Sequence, residues 1–102
     1  MTKADIVNEI VKNTGVEKTS VLNSVESFMK IIKNHMIEGE DIFLRGFGTF
    51  IVKKRAQKTG RNIKKKTTII IPAHYIPAFK PAKIFAEKVK KGLQVWVGPN
   101  TL

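Results

Sequence analysis

Residues 46–66 read GFGTFIVKKRAQKTGRNIKKK, and this stretch decides the fold. Its first seven residues combine glycine with β-branched and aromatic side chains, which is typical of strands and tight turns. The remainder, residues 53–66, holds eight cations and no acid in fourteen positions. The β-pattern continues into this cationic segment, which we expect to close at a turn over residues 60–62. The sequence therefore predicts a basic β-ribbon suited to a polyanion.

Positive charge is concentrated in the same half of the chain. Residues 1–40 hold five cations and six acids, whereas residues 53–91 hold thirteen cations and Glu87 as their only acid. Nearly all of the formal net charge of +11 therefore lies in the second half. Such a field attracts phosphates, and counterion release makes the resulting binding strong and sensitive to salt. A merely solvated basic surface and an RNA-binding surface are the alternatives.

Length and composition predict one soluble domain. The 102 residues suffice for a single core, and a hydrophobic content of 42% is too high for a disordered tail. The chain has no Cys, which excludes disulfides and thiolate metal sites. No apolar run approaches the ~18 residues of a membrane-spanning helix, and the first residues do not resemble a signal peptide. We expect an intracellular protein with no membrane partner.

Two amphipathic helices are predicted before the β-rich stretch. The first begins with Thr2 and Asp5 as a capping pair and ends at Gly15. The second starts within residues 17–20, where no strong capping residue marks one position, and it ends at Gly39. One stripe of the second helix is apolar and is expected to pack in the core: Val21, Leu22, Val25, Phe28, Met29, Ile32 and Met36.

Strands in two hairpins follow these helices. Residues 41–45 and 48–55 are β-rich and are separated by a Gly-Phe-Gly turn, which predicts the first hairpin. Residues 67–71 return from the tip of the basic ribbon. We expect Pro72 and Pro77 to keep this return from pairing as a regular central strand, because proline has no backbone N–H to donate.

A third helix is predicted at the end of the domain. We expect Pro81 in its first turn, where the missing N–H of proline costs no hydrogen bond. Lys90 and Lys91 suit the negative end of the helix dipole, and Gly92 terminates the helix. Its apolar stripe is Ala82, Phe85, Ala86 and Val89.

Several of these residues, in this order, resemble the signature of the bacterial histone-like HU/IHF family: Gly46-Phe47-Gly48-Thr49-Phe50, Arg55, Gly60-Arg61-Asn62, Ile69-Ile70-Ile71, Pro77-Ala78-Phe79-Lys80-Pro81 and Lys83. The resemblance implies an α+β fold of two N-terminal helices, a three-stranded antiparallel sheet with a long protruding β-ribbon arm, and a short C-terminal helix. It also implies an intertwined dimer with a shared core of Phe47, Phe50 and Phe79. The implied domain covers residues 1–91, followed by a tail at 92–102. Within the domain, residues 1–40 form a helical dimerisation base, 41–80 the sheet with its arm at about 53–76, and 81–91 the last helix.

The resemblance implies a non-enzymatic architectural protein of the cytoplasmic nucleoid. Such a protein wraps and bends double-stranded DNA through basic β-arms in the minor groove, with little sequence specificity. A site-specific DNA-bending subunit of the IHF kind and an RNA-binding structural protein are the alternatives. The expected partners are double-stranded DNA and a second copy of the chain, with a different subunit left open. No cofactor, metal or small-molecule substrate is expected.

The DNA contacts implied by the resemblance lie on the body and on the arm. On the body, Lys3, Lys80 and Lys83 would anchor flanking DNA. Ile63 stands where the family usually has a proline wedge, and Lys66 stands where it has a tip glycine. An isoleucine can still enter a base step, although it lacks the fixed φ of proline; the alternative is that it packs on the ribbon. The arm contacts are Lys53, Lys54, Arg55, Lys58, Arg61, Asn62, Ile63, Lys64, Lys65 and Lys66.

Other chemistry finds no support in the sequence. His35 and His74 have no cysteine, second histidine or acid at metal-ligand spacing. The serines of the second helix lack the Gly-x-Ser-x-Gly pattern of a nucleophile elbow. Beyond the resemblance, residues 95–97 read VWV in what we expect to be a frayed tail; the alternatives are that they add a small strand or that they stack on a base or sugar.

Overall fold

The computed structural model of the chain describes residues 1–62 and 67–93. Strands β1, β2 and β5 form a three-stranded antiparallel sheet in the order β1-β2-β5, and β3 and β4 form a two-stranded antiparallel ribbon. The predicted α+β class with a protruding β-ribbon is confirmed. In chain order the elements are α1 Lys3–Thr14, α2 Lys18–Ile37, β1 Ile42–Leu44, β2 Gly48–Arg55, β3 Lys58–Asn62, β4 Thr67–Ile71, β5 His74–Pro81 and α3 Lys83–Gly92.

Local side-chain chemistry sets the ends of α1. The Thr2 backbone N–H donates to Asp5 Oδ2 at 2.8 Å, and the Asp5 N–H donates to Thr2 Oγ1 at 3.3 Å, which is the predicted capping box. Gly15 adopts φ 73° after the last turn, and its N–H donates to the Val11 carbonyl. The N-cap of α2, Glu17, makes no side-chain cap, in keeping with the weak signal at this end. No helix within residues 1–62 and 67–93 is long and apolar enough to cross a membrane.

The sheet and the ribbon form one continuous hairpin. Strand β2 pairs with β5 from Gly48 opposite Pro81 outward, and β3 pairs with β4 as far as Asn62 opposite Thr67. Each step forward along one strand is matched by one step back along its partner, and this holds through both ladders and the gap between them. No bulge therefore shifts the register between the body and the arm. The interruption between the two ladders falls at Pro72, which has no N–H to donate.

Two sequence predictions in this region are wrong. The segment 60–62 belongs to β3 and does not form the turn, because it pairs with the β-branched strand β4. Pro81 is the last residue of β5 and does not begin the helix. The Ala82 N–H donates to the Phe47 carbonyl at 2.9 Å, which holds the chain extended for one more residue, so that α3 begins at Lys83. Pro77 does lie in a strand, but β5 is an edge of the sheet, where a missing N–H is tolerated.

An aromatic cluster joins the sheet to α3. The ring centroids of Phe50 and Phe79 are 4.9 Å apart, those of Phe47 and Phe79 are 5.0 Å apart, and those of Phe47 and Phe85 are 5.5 Å apart. Gly48 lies directly beneath this cluster and is buried. The phenylalanines are therefore in contact within one chain, and Phe47 remains half exposed.

Little of the chain is fully buried. Among the described residues, Val7, Val21 and Ile32 are the only hydrophobic side chains classed as buried. The accessible surface is 9115 Å², whereas a compact monomer of 11.5 kDa exposes about 5,800 Å². The radius of gyration is 20.0 Å, against about 13 Å for a compact chain of this length. The single chain therefore exposes more surface than a compact domain would, and this surface includes large apolar side chains such as Phe28.

Gly48 cannot carry a side chain in this arrangement. A Cβ atom there would lie 2.6 Å from both the Lys80 carbonyl oxygen and Phe79 Cζ. We expect Gly48→Ala to lower the free energy of unfolding by more than about 2 kcal/mol, measured by denaturant unfolding. Gly92→Ala is the control, because no atom other than the neighbouring backbone of its own helix lies within 4 Å of its Cβ position, and alanine favours the helix. Equal stability of the two variants would contradict the packing described here.

Candidate nucleic-acid interface

Cations of the inner ribbon lie on both of its faces. Side chains alternate along β2, so Lys53 and Arg55 share one face, and Lys54 lies on the other, opposite Tyr75. The unbroken register continues this alternation, so Lys58 lies on the same face of the ribbon as Lys54. All four cations are exposed. A ribbon charged on two faces can meet phosphates on both sides of a groove.

The outer ribbon also contains an apolar contact that sequence reasoning missed. The side chains of Ile69 and Ile71 lie over Gly60, with their nearest atoms 3.5 to 3.7 Å from its Cβ position. Ile71 is half-buried in this way, whereas Ile70 on the opposite face is exposed. The alternating pattern of β4 together with a glycine across the ladder is the signal that could have revealed this packing.

Lys3, a predicted body contact, is held by a carboxylate. Its Nζ donates to Glu26 Oε1 at 2.7 Å, and both side chains are about half exposed. The hydrogen bond from Lys3, followed by its positive charge, lowers the pKa of Glu26 below the ordinary value. A phosphate that binds Lys3 must therefore displace or share this carboxylate.

The remaining body cations lie on β5 and along α3. Lys80 lies on β5 opposite Thr49 of β2, and Lys83 is the first residue of α3. Lys88 and Lys91 lie farther along α3 and, together with Glu87, line one surface pocket with Lys83. Sequence reasoning did not include these two lysines, although both stand at helical spacing from Ile84, which places them on one face of the predicted helix.

Some predicted contacts lie at or beyond the described part of the arm. Arg61 and Asn62 are paired through their backbones with Thr68 and Thr67. Ile63, Lys64, Lys65 and Lys66 lie outside the described residues, as do residues 94–102. The wedge predicted at Ile63 and the alternatives for the tail stay predictions.

The two histidines make local contacts. His35 Nδ1 lies 3.2 Å from Glu40 Oε1, and His74 Nδ1 lies 2.9 Å from the Pro72 carbonyl oxygen, to which it can donate. Within residues 1–62 and 67–93, no three His, Cys, Asp or Glu side chains are grouped so that they could hold a metal ion.

A helical base that extends a long basic β-ribbon defines a class of nucleic-acid-binding proteins. Residues 1–90 match the model of the family described as bacterial DNA-binding protein, and the chain belongs to this family, the HU/IHF family of histone-like proteins. The chain is 41% identical to the DNA-binding protein HU of Thermus thermophilus over 91 residues, which cover 89% of this chain and 94% of that protein. It is 39% identical to the SPbeta prophage-derived DNA-binding protein HU 2 of Bacillus subtilis, with 88% and 98% covered.

A solved structure with the same fold is an HU–DNA cocrystal structure from Anabaena. The TM-score is 0.82 at 31% identity, and the match covers 87% of this chain and 97% of that one. The predicted family is therefore confirmed by sequence and by fold.

The Lys3–Glu26 pair predicts a pH-dependent difference in stability. Folding lowers the pKa of Glu26, so the pair stabilises the folded protein. This stabilisation is fully present when the pH is above the pKa that Glu26 has in the unfolded chain. It is lost as the pH falls through the lower pKa that Glu26 has in the folded state. We expect Glu26→Gln to melt slightly below the wild type at neutral pH and together with it in strong acid. The difference is small because the pair is exposed.

Glu9→Gln on α1 is the matched control, since no ion pair of Glu9 is found among the described residues. Its melting temperature should show no comparable pH-dependent difference from the wild type. An identical pH profile for both variants would contradict a specific role of the pair.

Proposed function

We propose that this chain is a non-enzymatic architectural DNA-binding protein of the nucleoid. As a homodimer, it wraps and bends double-stranded DNA with its basic ribbons and has little sequence preference. The observation that carries this proposal is the continuous ribbon with cations on both faces, on the scaffold of the bacterial DNA-binding protein family. The HU–DNA cocrystal among its structural relatives supports the same function.

The dimensions of the ribbon connect binding to bending. Its two strands lie about 4.8 Å apart before side chains are added, whereas the minor groove of B-DNA is about 6 Å wide. The side chains of both faces can enter only where the groove widens, and widening accompanies bending. Duplexes that are already bent, nicked or flexible should therefore bind more tightly than regular ones.

Dimerisation is supported by apolar surface that one chain leaves uncovered. Phe28 on α2 and Phe79 at the base of the ribbon are more than one-third exposed. A groove of about 800 Å³ also separates the end of α2 from the base of the ribbon, and most of its lining side chains are apolar. A second copy that covers these surfaces would bring the accessible area per chain toward that of a compact protein. Apolar side chains that line this groove include Met36, Ile37, Val52, Tyr75 and Pro77.

A dimer predicts a melting temperature that rises with protein concentration. Phe28→Asp should lower the melting temperature and shift the protein toward monomer in light scattering, because the partner covers this half-exposed ring. Ile84→Asp on α3 is the control, since Ile84 is 61% exposed and lies among the charged residues Lys83, Glu87, Lys88 and Lys91. A compact, stable monomer at micromolar concentration would contradict the proposal.

The function itself is tested by a binding competition at fixed salt. Unrelated duplexes should compete equally, a nicked duplex more strongly, and double-stranded RNA weakly. If roughly six to ten phosphates are neutralised, the affinity falls by about 10³ to 10⁵ between about 50 and 200 mM salt. Strong preference for one duplex would instead indicate site-specific readout, and preference for RNA would indicate an RNA-binding protein.

A charge-matched pair of triple variants assigns this binding to the ribbon. Replacing Arg55, Lys58 and Arg61 by Ala should remove most of the affinity and leave the melting temperature nearly unchanged. The control replaces Lys12, Lys18 and Lys30, three cations of the helices, by Ala and changes the net charge equally. Similar losses in both triples would show that only net charge matters and that the ribbon is not the binding surface.

A further inference from the structure

A carboxylate holds the backbone at the point where the ribbon leaves the sheet. Strand β1 begins at Ile42, which lies opposite Phe50, and the pairing of β1 with β2 ends at this pair. The next N–H of β2 on the same edge belongs to Val52, and it donates to Asp41 Oδ1 at 2.9 Å. The side chain of Asp41 therefore supplies an acceptor where β1 has ended.

The end of α2 explains why a side chain takes this place. If the pairing of β1 with β2 continued, Glu40 would lie opposite Val52. The Glu40 N–H instead donates to the His35 carbonyl at 3.0 Å, and Glu40 Oε1 lies 3.2 Å from His35 Nδ1. Glu40 is thus fixed to the last turn of α2, and the adjacent Asp41 joins this turn to the foot of the ribbon.

This junction lies where the sheet changes from three strands to two. From Val52 outward, the described part of β2 pairs with β5 alone, as far as Arg55 opposite His74. A two-stranded ribbon is marginally stable by itself and twists strongly. Its direction relative to the helices is therefore set at its foot, where the hydrogen bond to Asp41 is made.

The charge of Asp41 and its hydrogen bond have opposite effects on DNA binding. Asp41 and Glu87 are the only acids after residue 40, in the strongly basic part of the chain. A carboxylate at the foot of the ribbon repels phosphate. The hydrogen bond does not require the charge, because the amide oxygen of an asparagine is also an acceptor. Substitution can therefore separate the two effects.

We propose that Asp41 is a positioning residue for DNA bending, which holds the ribbon in the direction that fits a bent duplex by accepting the Val52 N–H. The proposal rests on the proposed function and adds to it a residue that acts through the backbone of β2. If one direction of the ribbon is competent to bind, the apparent affinity is proportional to the population of that direction. Loss of a hydrogen bond of ordinary strength reduces such a population by up to roughly fivefold.

The test compares Asp41→Ala with Asp41→Asn, which remove the same charge and differ in whether an acceptor remains. Fluorescence anisotropy at fixed salt measures the affinity for a nicked duplex and for an intact duplex of the same sequence. Asp41→Ala should bind the nicked duplex up to roughly fivefold more weakly than Asp41→Asn and should lose part of the preference for it. A smaller folded fraction would lower both affinities equally, so the preference separates positioning from stability.

A second measurement reports the direction of the ribbons in the absence of DNA. The chain has no Cys, so Thr59→Cys places a single spin label on the exposed β3 of each subunit. Pulsed electron paramagnetic resonance then gives the distance between the two ribbons of a homodimer. The distribution of this distance should be wider with Asp41→Ala than with Asp41→Asn or with the native Asp41.

Either of two results would overturn the proposal. One is an equal preference for the nicked duplex in Asp41→Ala and Asp41→Asn, and the other is an equal distribution of ribbon distances in the two. If the wild type prefers the nicked duplex and the two variants match each other, the proposed function stands and the role of Asp41 fails. If the wild type binds neither duplex, the proposed function fails, whereas the spin-label comparison still decides whether Asp41 directs the ribbon.

Discussion

The close contact between the Gly48 backbone and the Phe79 ring is the constraint on which the rest of the structure depends. A Cβ atom at Gly48 would overlap this ring, so the contact exists only without one. It fixes Gly48 opposite Pro81, and the same register then runs to Asn62 and Thr67. A slip by one residue would exchange the two faces of the ribbon. The aromatic cluster in the body thus decides which side of the distant arm each set of cations occupies.

This anchoring matters because the chain has so little interior. Val7, Val21 and Ile32 cannot by themselves offset the conformational entropy of ordering a domain of this size. The phenylalanines at the base of the ribbon add apolar contact, yet Phe47 and Phe79 keep more than a third of their surface exposed. Subunit association is the means by which a small chain of this shape can bury enough apolar surface to be stable.

Features that depend on local chemistry could be predicted from the sequence, and features that depend on tertiary pairing could not. The capping box at Thr2 and the left-handed Gly15 follow from the residues themselves, and the structure shows both. The turn placed at residues 60–62 was wrong because cross-strand pairing overrode the turn preference of glycine and asparagine. Pro81 was misplaced because a hydrogen bond from Ala82 to Phe47 extends the strand connection.

In the proposed homodimer, a base that carries two ribbons would combine affinity for DNA with little base readout. Cations that contact phosphates add affinity on any sequence, and they add no discrimination between sequences. When one ribbon of a dimer is bound, the second reaches the same duplex at an effective concentration set by the base that joins them. That concentration is high only if the base holds each ribbon in a fixed direction, which the contact between Gly48 and Phe79 provides. In the proposed homodimer, a fixed direction of each ribbon would therefore add to affinity without any contact with DNA.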